Sequence, residues 1–382
     1  MPRFIKYFFL IIFLINILVF SSGKTWIYKA ISITYLKGFN TAYIHDFPYF
    51  PSNIIDNGDS QEWLISKNYN EKALPKFINK INSTLETVSF LVIKSDSIIF
   101  EQYWHGYSAD TVSNSFSMAK SLVSTLIGVA LKENNISSLD QTVCDFIPKF
   151  CSDKNKHITI RNLLTQSSGL DWNEDYHNPI GQTAEAYYGT NLKHLMLSLK
   201  SIEPGGKIFR YHSASTQLLA FILEEATGQT ISEYASEKLW KKIGARNQAY
   251  WSKDSDDGDE KAFCCIYSNA RDFARLGKLY LNNGIWNGVR IIDDEYVNEA
   301  TNAADLINKK GKKNINYGYQ FWITNYKNMH IFYAKGFSGQ YMICIPEKDM
   351  IIVRLGRKSG NQLENGNHDD FYNFIDAALS LI

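Results

Sequence analysis

The stretch Asn114–Glu133, NSFSMAKSLVSTLIGVALKE, decides how the rest of the chain is read. After Ser117 the residues Leu122, Val123, Leu126, Ile127, Val129, Ala130 and Leu131 are apolar nearly all round, the pattern of a buried helix. Yet this helix opens with Ser117 and, three residues on, Lys120. The end of a buried helix is a costly place for an ammonium group unless something there uses it. Positions i and i+3 share a face one turn apart, so Lys120 can reach the Ser117 hydroxyl. Desolvation and the helix N-terminus both disfavour the ammonium form and bring the amine toward a useful base. As a bare pattern Ser-x-x-Lys is weak, because a Ser cap followed by an outward-reaching Lys reads the same way. It also occurs at Ser21-Ser22-Gly23-Lys24, in a glycine-containing stretch after an apolar segment, where it is set aside as coincidence.

Two further stretches give the second pair its meaning. GGKIFRYHSASTQLLAFILEEATGQ places Tyr211 in a loop just before another apolar helix. A phenol beside an ammonium loses its proton more readily and can pass it between nucleophile and leaving group. Then YAKGFSGQYMICIPEKDMIIVRLG offers Gly336-Phe337-Ser338-Gly339-Gln340 at a strand edge. Glycines there let a substrate approach the backbone, whose N–H groups can point at a developing oxyanion. A β-bulge would use the same residues.

The order SMAK, YHS, GFSGQ resembles the serine β-lactamase/penicillin-binding-protein superfamily, whose signatures are Ser-x-x-Lys, Tyr-x-Asn and Lys/His-Thr/Ser-Gly. The phrases LLTQSSGLDWNE, ARDFARLGKLYLNNG and GFSGQYMICIPEKDMIIVRLG are similar to the class C-like branch, and within it to the 6-aminohexanoate-dimer hydrolases and related esterases. The likeness runs from about residue 40 to the C-terminus. It implies Ser117 as the acylated nucleophile, Lys120 as its general base and Tyr211 as the second acid/base residue. It also implies an oxyanion hole from the backbone N–H groups of Ser117 and Gln340, with no metal and no cofactor. Ser213, Phe337, Ser338 and Gly339 fall at substrate-facing positions. Tyr176, in DWNEDYHNP, resembles an extra active-site tyrosine of the dimer hydrolases.

Departures bear on substrate more than on reaction. Ser213 stands where the family carries Asn; its hydroxyl can still bond Lys120 but reaches less far. Phe337 stands where Lys or His would begin the third motif, which removes a cation used toward a substrate carboxylate. Lys335, two residues earlier on the same side of a strand, is a candidate replacement. An apolar residue at 337 favours a neutral amide or ester over a β-lactam. The leading expectation is therefore an exported serine hydrolase of small amides or esters. A DD-carboxypeptidase or β-lactamase is the first alternative, and a non-catalytic membrane-anchored penicillin-binding or sensor protein the second.

The organisation agrees with an α+β fold, an antiparallel sheet flanked by helices with a mostly helical subdomain. VSFLVIKSDSIIFEQYWHG reads as a hairpin, helical periods fill most of residues 131–305, and four strand-like runs and a helix follow. This divides the chain into residues 1–23, a lead-in at 24–60, a sheet subdomain from 61–116 with 306–382, and a helical subdomain at 117–305. Of the 382 residues 45% are hydrophobic, enough for a large core, and 40 basic against 39 acidic residues leave no basic block for nucleic acid. At the N-terminus Arg3 and Lys6 precede an apolar run, Tyr7 to Phe20, as in a secretory signal; an uncleaved anchor through residues 4–20 fits equally. Either places the body outside the cytoplasm.

Five cysteines accompany this. Cys144 and Cys151 are near enough in sequence to bridge a turn at Pro148 in an oxidising compartment, whereas Cys264, Cys265 and Cys344 read as core thiols. DSDDGDE (254–260) reads as a solvated turn, and His212 as structural or substrate-facing rather than basic. Oligomeric state is not legible.

Overall fold

Strand-forming runs from the two ends of the chain build one sheet, with the helical middle closing over it. The structure, a computed structural model, describes residues 3–382. Helices α1 (Arg3–Ser21) and α2 (Trp26–Ile33) are followed by β1 (Ser52–Ile55), β2 (Leu64–Ile65), α3 (Lys76–Thr84) and the hairpin β3 (Thr87–Lys94)–β4 (Ser97–Tyr103). The short β5 (Ser113–Asn114) leads through a 3-10 turn at Phe116–Met118 into α4 (Ala119–Lys132). Later come α5 (Gln182–Tyr188), α6 (Ser213–Thr227), β6 (Ala249–Ser252), β7 (Ile266–Ser268) and α7 (Ala270–Leu281). Strands β8 (Trp322–Tyr326), β9 (Met329–Gly336), β10 (Gln340–Ile345) and β11 (Met350–Gly356) precede α8 (Asp369–Leu379).

The large sheet has the order β8-β9-β10-β11-β3-β4-β2, antiparallel except where β2 joins β4. The hairpin closes on Ser95 and Asp96, both in the left-handed region that a two-residue turn of this hand requires. β3 then pairs with β11, Phe90 opposite Arg354, so the sheet forms only when distant parts of the chain meet. β10 and β11 are buried along their whole length, because helices cover both faces. On one face Phe90, Val92, Ile343 and Ile352 pack against Phe371, Phe374 and Ile375 of α8. On the other, Leu91, Ala334, Met342 and Val353 pack with residues of α4 and α7. Alternate residues of one strand serve different cores.

A second sheet, β1-β6-β7-β5, ties the lead-in to the body. Residues 24–60 show no period in sequence, yet they hold a helix and a strand. Their anchor is Asp46, 1% exposed, whose carboxylate accepts the hydroxyls of Tyr187 (2.5 Å) and Tyr267. Burial raises its pKa, and those phenol hydrogen bonds hold it back.

The cysteines divide differently from the sequence expectation. Cys144 and Cys151 are bonded, with Cα atoms 5.1 Å apart. Cys264 and Cys265 are not core thiols but a bonded adjacent pair, the left-handed backbone at Cys265 (φ 72°) bringing their sulfurs together. Cys344 is a buried thiol. The acidic run at 254–260 is no solvated turn throughout. Asp254 and Glu260 are buried, Asp254 accepting the backbone amides of Leu192 and Asp259 and Glu260 the side-chain amide of Asn53.

Candidate active site

The 3-10 turn ahead of α4 carries Ser117 to the wall of a cleft of about 580 Å3. Its backbone is forced: Phe116 sits at φ 43°, unusual for a bulky residue, and its amide is held by the Asn114 side chain at 2.9 Å. Asn114 is itself fixed by the hydroxyls of Tyr187 and Tyr267, to which it donates at 3.2 and 3.0 Å. From the sheet side, Gly336 approaches so closely that a Cβ there would lie 2.2 Å from the Ser115 carbonyl oxygen. No other residue type allows β9 to meet this turn.

One turn into the helix, Lys120 is 1% exposed and its Nζ donates to Ser117 Oγ at 3.1 Å, Ser213 Oγ at 3.2 Å and the Phe263 carbonyl at 2.7 Å. Desolvation lowers its pKa from 10.5 to about 8, against the opposing pull of the Glu174 carboxylate. The amine is thus within reach of the neutral form near physiological pH. Tyr211, at the entrance to α6, lies with its ring 5.1 Å from Lys120 Nζ. Burial first, then Glu174, raise its phenol pKa, while hydrogen bonding with Ser117 works the other way. Its ring packs at 5.4 Å from Trp322 and 6.0 Å from Tyr317. Across the cleft, Gly339 (φ 77°) turns the chain into β10 at Gln340. An alcohol on the cavity wall, with a desolvated amine and a phenol held against it and Phe337 and Ser338 of the glycine-containing turn on the same wall, suits attack on a carbonyl with proton transfer.

A family model described as Beta-lactamase matches residues 76–372. The chain belongs to the β-lactamase family. A 6-aminohexanoate-dimer hydrolase of Paenarthrobacter ureafaciens is 27% identical over 298 residues, covering 74% of this chain and 75% of that protein. A protein of Escherichia coli K12 provisionally named a D-alanyl-D-alanine carboxypeptidase is 22% identical, covering 71% and 78%. Among solved structures, a Bacillus anthracis protein provisionally named a 6-aminohexanoate-dimer hydrolase superposes with a TM-score of 0.76 at 23% identity, over 88% of this chain and 92% of that one. The structural likeness establishes the fold; the family match makes the chain a serine hydrolase of the β-lactamase family.

Against the family's third motif, Phe337 is 38% exposed and packs edge-on to Phe116 at 5.6 Å, with Tyr176 at 6.0 Å. All three line the cleft, as do Ser213 and Ser338. Lys335 does not replace the missing cation: it donates to the Gly366 carbonyl at 2.8 Å and lies over Trp322, outside the cleft lining. Arg357 and Lys358 do line the cleft, both paired with Glu86.

Three contributors have no signal in the sequence. Glu174, in a loop rich in acidic residues, accepts the Ser213 amide and hydroxyl, both at 2.6 Å, and the Trp172 indole and Tyr176 phenol. It is linked to Lys120 through Ser213, whose hydroxyl accepts from the amine and donates to the carboxylate. Arg354, fully buried in β11, donates to the carbonyls of Ser338 (3.0 Å) and Gly339 (2.8 Å), and the Gln340 side chain clasps Gly356. These bonds fix the turn that leads into β10. The lead-in supplies a whole wall, with Ala30, Thr34, Tyr35 and Asn40–Ala42 lining the cleft. His212 is buried, and desolvation lowers its pKa to about 4, which disfavours its imidazolium form.

Proposed function

We propose that this chain is an exported serine hydrolase that cleaves a small amide or ester through a Ser117-linked acyl-enzyme. The observation that carries the reading is the desolvated Lys120 amine held on the Ser117 hydroxyl. In acylation, Ser117 Oγ bonds to the substrate carbonyl carbon while neutral Lys120 takes its proton. The backbone amides of Ser117 and Gln340 hold the oxyanion, and Tyr211 passes a proton to the departing amine or alcohol. Water then attacks the acyl carbon, its proton returning through the same pair, and Ser117 is released with the acid.

The preference for a neutral substrate rests on Phe337, an aromatic ring where a cation would grip a carboxylate. Acylation of wild type by a nitrophenyl ester, read as added mass on the intact protein, tests the reaction; Ser117→Ala should show none. Hydrolysis of nitrocefin faster than of any ester would instead favour a β-lactamase or DD-carboxypeptidase. The apolar α1, 19 residues with none buried, supports export or anchoring.

A further inference from the structure

The apolar N-terminal helix and the catalytic cleft are joined by a short segment tied down by hydrogen bonds, and the joint is decorated with exposed apolar side chains. α1 closes in a left-handed glycine cap: Gly23 (φ 71°) donates to the Phe20 carbonyl at 3.2 Å and Lys24 to Val19 at 3.2 Å. Beyond it, Lys24 Nζ donates to the Ile180 carbonyl at 2.9 Å and lies 3.8 Å from Glu185, while Tyr28 of α2 bonds Asn16 of α1. α1 therefore leaves the body in a fixed direction beside the 176–180 loop. Its 19 residues rise about 28 Å at about 1.5 Å each, close to the ~30 Å hydrocarbon core of a bilayer. Beyond α2, Tyr35 (58% exposed), Leu36 (75%) and Phe39 are exposed, as is Ile180 (53%) of the 176–180 loop; Tyr35 lines the cavity, and the others are chain neighbours of the lining residues Tyr35, Asn40 and Pro179. A free surface would be poorly served by so many large apolar groups at one place.

We propose that the cleft opens at the surface of a lipid bilayer, with α1 as a retained anchor, and draws from that bilayer an amphiphilic ester or amide whose acyl chain lies in the cavity. The inference rests on the acyl-enzyme reading above and adds the substrate class. The continuity of the exposed rim with a membrane-length helix selects lipid over another protein as the covering partner. Phe116, Tyr187, Tyr188, Phe263 and Phe337 on the cavity wall suit an acyl chain, and the two cations on the same wall, Arg357 and Lys358, are both paired with Glu86.

The test uses the full chain in phosphatidylcholine vesicles, with p-nitrophenyl palmitate dissolved in the bilayer and p-nitrophenyl acetate in the water. The double variant Leu36→Glu/Phe39→Glu, outside the cleft lining, should hydrolyse acetate within about twofold of wild type and palmitate at least about tenfold more slowly. Equal palmitate rates would overturn the proposal, as would wild-type kcat/KM values that fall with acyl length in vesicles. So would a cell-derived protein whose mass lacks residues 1–23. If the charged variant loses both substrates, Leu36→Ser/Phe39→Ser in the same comparison decides. Turnover of acetate without bilayer preference would sink only this inference; no turnover of either ester by wild type would sink the hydrolase reading with it.

Discussion

On the acyl-enzyme reading, Lys120 sets the pH behaviour of the site. With its pKa brought down to about 8 by burial, the base form grows as pH rises through that value. Ester kcat/KM should therefore climb with pH and level off above about 8, measured with a neutral substrate. Glu174 works against burial on the same amine, so Glu174→Gln should move that limb to lower pH; an unmoved limb would deny the coupling. The same residue carries a stability cost. At pH 7 the amine is charged in both folded and unfolded chains, and its desolvated place in the fold costs about 3 kcal/mol. Between pH 8 and 10.5 the unfolded chain binds the extra proton, so the cost fades as pH rises and is gone above 10.5. Lys120→Met should add about 1–2 kcal/mol of stability at pH 7, read as a higher thermal midpoint, after about 1 kcal/mol lost where the Phe263 carbonyl loses its donor. The gain should narrow toward pH 10 while acylation is abolished.

At the scale of elements, the lead-in is the part whose role the sequence leaves unread. α2 and β1 are too short for a period to show, and their placement depends on one carboxylate buried among partners far along the chain. Asp46→Ala would leave the hydroxyls of Tyr187 and Tyr267 without their acceptor, a cost of about 2–4 kcal/mol. Urea denaturation should show that loss, and trypsin should cut at Lys24, Lys29 or Lys37 sooner than in wild type. A variant with unchanged midpoint and cleavage would mean the strap is held by its apolar contacts alone. The glycine-rich turn at 336–340 was legible as a strand edge. Its buttress was not: Arg354 sits in an apolar strand and acts through backbone carbonyls, which leave no trace in composition.

On the scale of the whole molecule, the sheet is closed by its two ends, and α8 covers one of its faces. Phe371, Phe374 and Ile375 are fully buried, each contributing about 2 kcal/mol by burial, a large fraction of a domain's ~5–15 kcal/mol net stability. A chain ending before Asp369 should therefore collect as insoluble protein, and any soluble remainder should fail to acylate. Soluble, active protein from that truncation would show that the second core is dispensable.

The sequence by itself determined which groups meet at the head of α4. Ser117 and Lys120 are one helical turn apart, and local geometry alone makes them neighbours; the hairpin at 87–103 and the late strands were equally legible, since residue type and period act over short range. Tertiary structure decided what surrounds them. Glu174 reaches the lysine through Ser213, the Phe263 carbonyl accepts a hydrogen bond from the lysine, Lys335 turns away from the cleft, and the lead-in becomes a wall. Each of these depends on groups brought together from far apart in the chain, where packing and burial, not local propensity, fix position.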